Sequence, residues 1–108
     1  MRYGLKEETI KKISAVLAGF PEVEKTLIYG SRAKGNYKNG SDIDLTLIGP
    51  GLTLKILHRI ENELDDLLLP YQIDLSIFDW ISEPDLIEHI RRAGAVFYEK
   101  QGAKAKQG

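Results

Sequence analysis

The segment Leu27-Ile28-Tyr29 stops at Gly30-Ser31, and after a polar loop the chain resumes as Ser41-Asp42-Ile43-Asp44-Leu45-Thr46-Leu47. Few folds accommodate this pattern. A β-branched and aromatic run ending at glycine reads as a strand meeting a tight turn, where the missing Cβ lets backbone N–H groups approach an anion closely. Ser31 adds a hydroxyl, and the residues after it can open a short helix over Arg32 to Lys34 whose N-terminal end favours negative charge. In the second run Asp42 and Asp44 are two apart on a strand. Both carboxylates then project from one side, while Ile43, Leu45 and Leu47 point the other way into a core. Neighbouring carboxylates repel one another unless a cation lies between them, and hard oxygen ligands suit Mg²⁺. A phosphate cradle facing a carboxylate pair describes a site for a metal-bound nucleoside triphosphate.

A Walker loop and a plain surface turn both fit these residues less well. Gly30 and Gly35 have the spacing of a Walker loop, but Asn36 and Tyr37 stand where that motif needs Lys and Ser or Thr. The plain alternative is a strand, a surface turn and a second strand that begins with solvated aspartates. Against it stands a third apolar-flanked aspartate, Asp74, within Gln72-Ile73-Asp74-Leu75-Ser76-Ile77.

The remaining elements follow from periodicity and punctuation. Ile10, Ile13, Val16, Leu17 and Phe20 recur at helical spacing over Glu7 to Phe20, closed by Pro21. Strands are expected over Lys25–Tyr29, Asp42–Ile48 and Ile73–Ile77, with a final short one over Ala95–Tyr98. Between them, Thr53 reads as the N-cap of a helix through Leu69, with Leu57, Ile60, Leu64, Leu67 and Leu68 on its apolar side and Pro70 at its end. Ser82 reads as the cap of a last helix with Pro84 in its first turn and Gly94 just beyond it. Alternating strands and helices imply α/β layering in one domain over residues 1–100, with 101–108 as a flexible tail.

At Gly30-Ser31, Asp42-Ile43-Asp44 and Asp74 the chain resembles the nucleotidyltransferase superfamily that includes DNA polymerase β and kanamycin nucleotidyltransferase. The Gly-Ser-Arg-Ala-Lys-Gly form and the small size are most similar to the minimal nucleotidyltransferases of bacteria and archaea, the MNT proteins. This resemblance implies a polymerase β palm-like α/β (α+β) fold, a mixed β-sheet with helices packed on one face. It implies Asp42, Asp44 and Asp74 as catalytic residues holding two Mg²⁺ ions, with ATP as the substrate. Gly30 and Ser31 would hold its β- and γ-phosphates, with Arg32 and Lys34 as further candidates for phosphate contact. Asp74 would bind the catalytic ion, and its service as the base is left open. Family members of this kind are commonly encoded beside a helical HEPN-domain protein, and some act as antitoxins by transferring AMP to it. A homodimer and a heterotetramer are the assemblies considered. The alternative is a nucleotide-binding or structural subunit that performs no transfer.

Composition narrows the function classes. The 108 residues contain no cysteine, which excludes a disulfide framework and a cysteine-based zinc site. A formal net charge of −1 is a poor basis for direct nucleic-acid binding. No apolar run is long enough for a membrane span, and the charged N-terminus does not read as a secretory signal, so cytoplasmic residence is the expectation. His58 and His89 each lack a second histidine at i+4 and read as surface residues. Asp65, Asp66 and Asp79 read as solvated. Tyr37 is open to three readings, as a base-stacking residue, a partner contact or an idle loop aromatic. Phe78, Trp80 and Ile81 read as a core or interface cluster.

Overall fold

The computed structural model describes residues 1–101; the expected tail, Gln101 apart, lies outside them. Four strands form one mixed sheet in the order β3-β2-β1-β4, with β1 at Lys25–Tyr29, β2 at Ile43–Ile48, β3 at Ile73–Ile77 and β4 at Ala95–Glu99. β1 pairs antiparallel with both β2 and β4, whereas β2 and β3 run parallel. A parallel pair needs a crossover. Helix α3, Leu54–Asp65, supplies it. Helices α1 (Glu7–Ala18), α2 (Ser31–Lys34) and α4 (Pro84–Ala93) complete the fold with a 3-10 turn at Phe78–Trp80.

Strand alternation sorts the sheet into a dry face and an active face. Ile28, Ile43, Leu45 and Leu47 are fully buried in one cluster with Ile13 and Leu17 of α1 and Ile60 and Leu64 of α3. Their neighbours along the chain, Tyr29, Asp44 and Thr46, therefore face the other way. The expected mixed sheet with helices on one face is found, with one addition. Helix α4 docks beside the active face, where the His89 ring meets Tyr29 edge-on at 6.2 Å between centroids. Its buried Ile90 stands apart from the main core cluster.

Several boundaries differ from the periodicity for local reasons. Helix α1 stops at Ala18, and its end tightens as Gly19 and Phe20 donate three residues back, to Val16 and Leu17. α3 stops at Asp65 rather than Leu69. Leu67 and Leu68 wind down in the same way, and Leu68 takes a left-handed conformation (φ 54°) that turns the chain toward β3 and leaves its side chain 88% exposed. α4 is preceded by Glu83, and Ser82 does not cap it. Gly94 is extended rather than left-handed; a Cβ there would strike the Ile90 carbonyl, which accepts the Gly94 N–H at 2.8 Å. Asp42 lies just before β2 rather than in it.

Thr53 caps α3 as the sequence suggests, its hydroxyl accepting the Ile56 N–H at 3.2 Å. Thr53→Ala should lower unfolding free energy by about 1 kcal/mol in urea denaturation. An unchanged midpoint would show that the cap contributes nothing.

Candidate active site

The site is built on a register. Parallel pairing of β2 with β3 sets Asp44 opposite Asp74 and Thr46 opposite Ser76. The second pair is closed by a hydrogen bond, Ser76 Oγ donating to Thr46 Oγ1 at 3.0 Å. The first pair is two acids, and neither has an ion-pair partner among the described residues. Burial, the Asp74 charge, a hydrogen bond shared with Asp74 and the Asp42 charge push Asp44 up from 3.8 to about 6. Burial is the largest cause, and the neighbouring acids add to it.

Gly30 closes on the same carboxylate. Its φ of 75° and ψ of −156° belong to glycine, and a Cβ would overlap Asp44 Oδ2. The turn that ends β1 therefore lies directly against the β2 acid, as a phosphate cradle beside a metal-binding carboxylate requires. The next residue, Ser31, opens α2, which ends at left-handed Gly35.

The sequence-derived candidates separate into three groups. Gly30, Asp44 and Asp74 come together, with Ser31 adjacent to them in the turn. Asp42 is exposed at the head of β2, close enough for its charge to act on Asp44. Lys34 is exposed on α2 and makes no ion pair among the described residues. Arg32 does not join the phosphate side. It is 2% exposed, and its guanidinium donates to three backbone carbonyls, those of Ser41, Tyr3 and Asn39. Tyr37 is not a free loop aromatic either; it lies 5.3 Å from Arg32 Cζ and packs against Gly4.

Two residues enter the site unannounced. His89 Nε2 accepts the Gly30 N–H at 3.3 Å, so the cradle donor is engaged from α4. Tyr29 is held half-buried beside it. Burial pushes its phenol up, and the charges of Asp44, Asp74 and Glu83 add to the effect. Tyr29 was legible only as a strand residue, because its face depends on the register. His89 is 59 positions from Gly30, and no sequence signal joins them. Beyond Ser76 a groove of about 350 Å³ runs along the sheet edge between Tyr29, Trp80, Glu83 and Leu86.

The donor set fits Mg²⁺ in a particular way. Among the described residues no three acidic or histidine side chains converge on one point. Mg²⁺ rarely asks for that: it is commonly held by one or two carboxylates, with waters and substrate phosphates completing the octahedron. The in-register pair Asp44 and Asp74, next to a glycine turn with no Cβ, offers that partial set.

Folding raises the Asp44 pKa, so the folded protein binds this proton more tightly than the unfolded chain. Its contribution to stability is complete below 3.8 and is lost as pH rises through about 6. In EDTA, Asp44→Asn should therefore be more stable than the parent above pH 6, with the advantage shrinking as pH falls toward 3.8. Denaturation midpoints across that range check it; a variant less stable at every pH would contradict the assigned repulsion.

Comparison with known proteins identifies the family and the fold. The family described as "Polymerase beta, Nucleotidyltransferase" matches residues 11–103. The chain is 29% identical over 99 residues to the "Probable protein adenylyltransferase MntA" of Haemophilus influenzae, covering 90% of this chain and 85% of that protein. Among solved structures it is similar to a toxin–antitoxin with AMP-PNP, with a TM-score of 0.67 and 21% identity over 92% of this chain and 77% of the other. It is also similar to a complex of tri-AMPylated Shewanella oneidensis HEPN toxin with MNT antitoxin, with a TM-score of 0.66 and 17% identity over 94% and 78% of the two chains. At these identities the structural likeness establishes the fold. The family match extends over most of the sequence, and the chain belongs to the polymerase β nucleotidyltransferase family.

Proposed function

We propose that this nucleotidyltransferase is a Mg²⁺-dependent protein adenylyltransferase, which moves AMP from ATP to a hydroxyl of a helical HEPN-type partner as the antitoxin of a pair. The observation that carries the chemistry is the in-register pair Asp44 and Asp74, with Asp44 lying against the Gly30 turn. The partner assignment draws on the relatives, one named an adenylyltransferase and another an antitoxin bound to an AMPylated HEPN toxin.

In this reading the acceptor oxygen attacks the α-phosphorus of ATP, a new P–O bond forms, and the bond to the bridging oxygen breaks to release pyrophosphate. Two bound Mg²⁺ ions would supply charge neutralisation at the attacking and leaving oxygens. Asp44 and Asp74 would hold them from adjacent strands, with Asp42 reaching in from the head of β2. Gly30 would transfer its N–H from His89 to a phosphate oxygen, and the Ser31 hydroxyl would bind beside it. Lys34 is the cation left for the triphosphate, because the Arg32 donors are committed to carbonyls. Asp74 is exposed on an edge strand, where an incoming hydroxyl could reach it, and it is the residue best situated to take the acceptor proton.

Three outcomes are expected. ATP should stabilise the protein only with Mg²⁺ present, by ~2.7 kcal/mol at about 100 times the dissociation constant. Equal stabilisation in EDTA would count against a metal-bridged triphosphate. With the HEPN-type product of the neighbouring gene as acceptor, mass spectrometry should find added AMP. Asp74→Asn should slow that transfer at least ~100-fold while keeping most of the Mg-ATP affinity. Binding of nucleotide and partner with no transfer would favour a non-catalytic subunit instead.

A further inference from the structure

Arg32 is the largest fully buried side chain among the described residues, and no carboxylate among them pairs with it. A buried cation is expensive unless its surroundings replace water. Here carbonyl oxygens and aromatic faces do so. Nε and Nη2 both donate to the Ser41 carbonyl at 3.0 and 2.8 Å, Nη1 donates to Tyr3 at 2.9 Å, and Nη2 reaches Asn39 at 3.4 Å. The Tyr37 and Tyr71 ring centroids lie 5.3 and 4.9 Å from Cζ.

What the guanidinium joins gives the arrangement its meaning. One end of the clamp, Arg32, immediately follows the Gly30-Ser31 turn. Its main grip, the Ser41 carbonyl, immediately precedes Asp42. The loop between them is otherwise secured by little: Ser41 N–H donates to the Lys38 carbonyl at 3.0 Å, and Ser41 Oγ accepts the Lys38 N–H at 2.8 Å. Regular pairing begins only at Ile43, whose N–H reaches the Gln72 carbonyl at 2.9 Å. Asp42 thus stands between an anchored strand and a loop that Arg32 ties to α2 and to Tyr3.

We propose that Arg32 is the positioning residue of the site, fixing the Asn39–Ser41 segment and with it the place of Asp42 at the head of β2. The inference rests on the nucleotidyltransferase reading of those carboxylates. It gives Arg32 no contact with nucleotide or metal. A lysine carries the charge but offers a single point of donation, and it cannot grip Ser41 with two nitrogens while also reaching the Tyr3 carbonyl and lying near two rings.

The test compares the parent, Arg32→Lys and Tyr37→Leu by direct Mn²⁺ titration and by amide exchange at Ser41, Asp42 and Ile43. Tyr37→Leu removes one face of the clamp and serves should Arg32→Lys not fold. Folded variants should bind Mn²⁺ about 10-fold more weakly or worse, the range seen when groups that orient metal ligands are lost, and exchange should quicken at Ser41 and Asp42 before Ile43. With ATP, kcat should fall more than KM rises. A folded variant with parental Mn²⁺ affinity and a parental kcat would overturn the positioning role and leave the nucleotidyltransferase reading intact. Failure of the parent itself to bind Mn²⁺ or Mg-ATP would instead overturn that reading, and this inference with it.

Discussion

Parallel pairing of β2 with β3 brings two acids into adjacent register, and the active face is organised around that adjacency. The same pairing that buries Ile43, Leu45 and Leu47 on one side obliges Asp44 to stand beside Asp74 on the other. A slip of one residue would turn the acids into the core, so the hydrophobic pattern itself enforces the repulsion. Asp44 shows the cost in a carboxyl raised to about 6. The sheet thus holds the acids at a spacing whose cost a proton or an added cation relieves, and core burial supplies the energy to keep them there.

Around this pair the fold contributes positioning more than chemistry. β1 ends at a glycine whose missing Cβ leaves room for the Asp44 carboxylate. α4 adds His89, which engages the Gly30 N–H and so keeps a half-buried donor satisfied until something else takes it. Arg32 ties the glycine turn to the loop before Asp42. Phosphoryl-group chemistry depends largely on alignment and electrostatics, which suits a small protein that sets Asp44 beside Asp74 by strand register.

Much of this was legible in the sequence because it is periodic or local. Alternation in Ile43–Leu47 and Ile73–Ile77 gave the two acids a common side, and the helix before Pro21 and the Thr53 cap could be read directly. The resemblance of Gly30-Ser31, Asp42, Asp44 and Asp74 to a known family added the mixed sheet, which periodicity alone does not specify. What could not be read depends on long-range neighbours. Arg32 lies in a polar stretch of sequence, where cations are ordinarily solvated, and only the folded chain brings Tyr3, Tyr37 and Tyr71 around it. His89 lies on a helix with no partner in its own turn, and its role arises from how α4 docks beside β1. The end of α3 misled for the opposite reason. The run Leu67-Leu68-Leu69 continues an apolar stripe, but the chain has to turn back toward β3, and Leu68 is left in solvent.

The most direct test of the central claim is a crystal structure with Mn²⁺ and a non-hydrolysable ATP analogue, phased to show the anomalous signal of the metal. The expected result is a Mn²⁺ peak coordinated by both Asp44 and Asp74 and by phosphate oxygens, with the triphosphate on the Gly30-Ser31 turn and the Gly30 N–H released from His89. A nucleotide bound elsewhere, or a metal that touches neither carboxylate while the Gly30–His89 hydrogen bond persists, would contradict it.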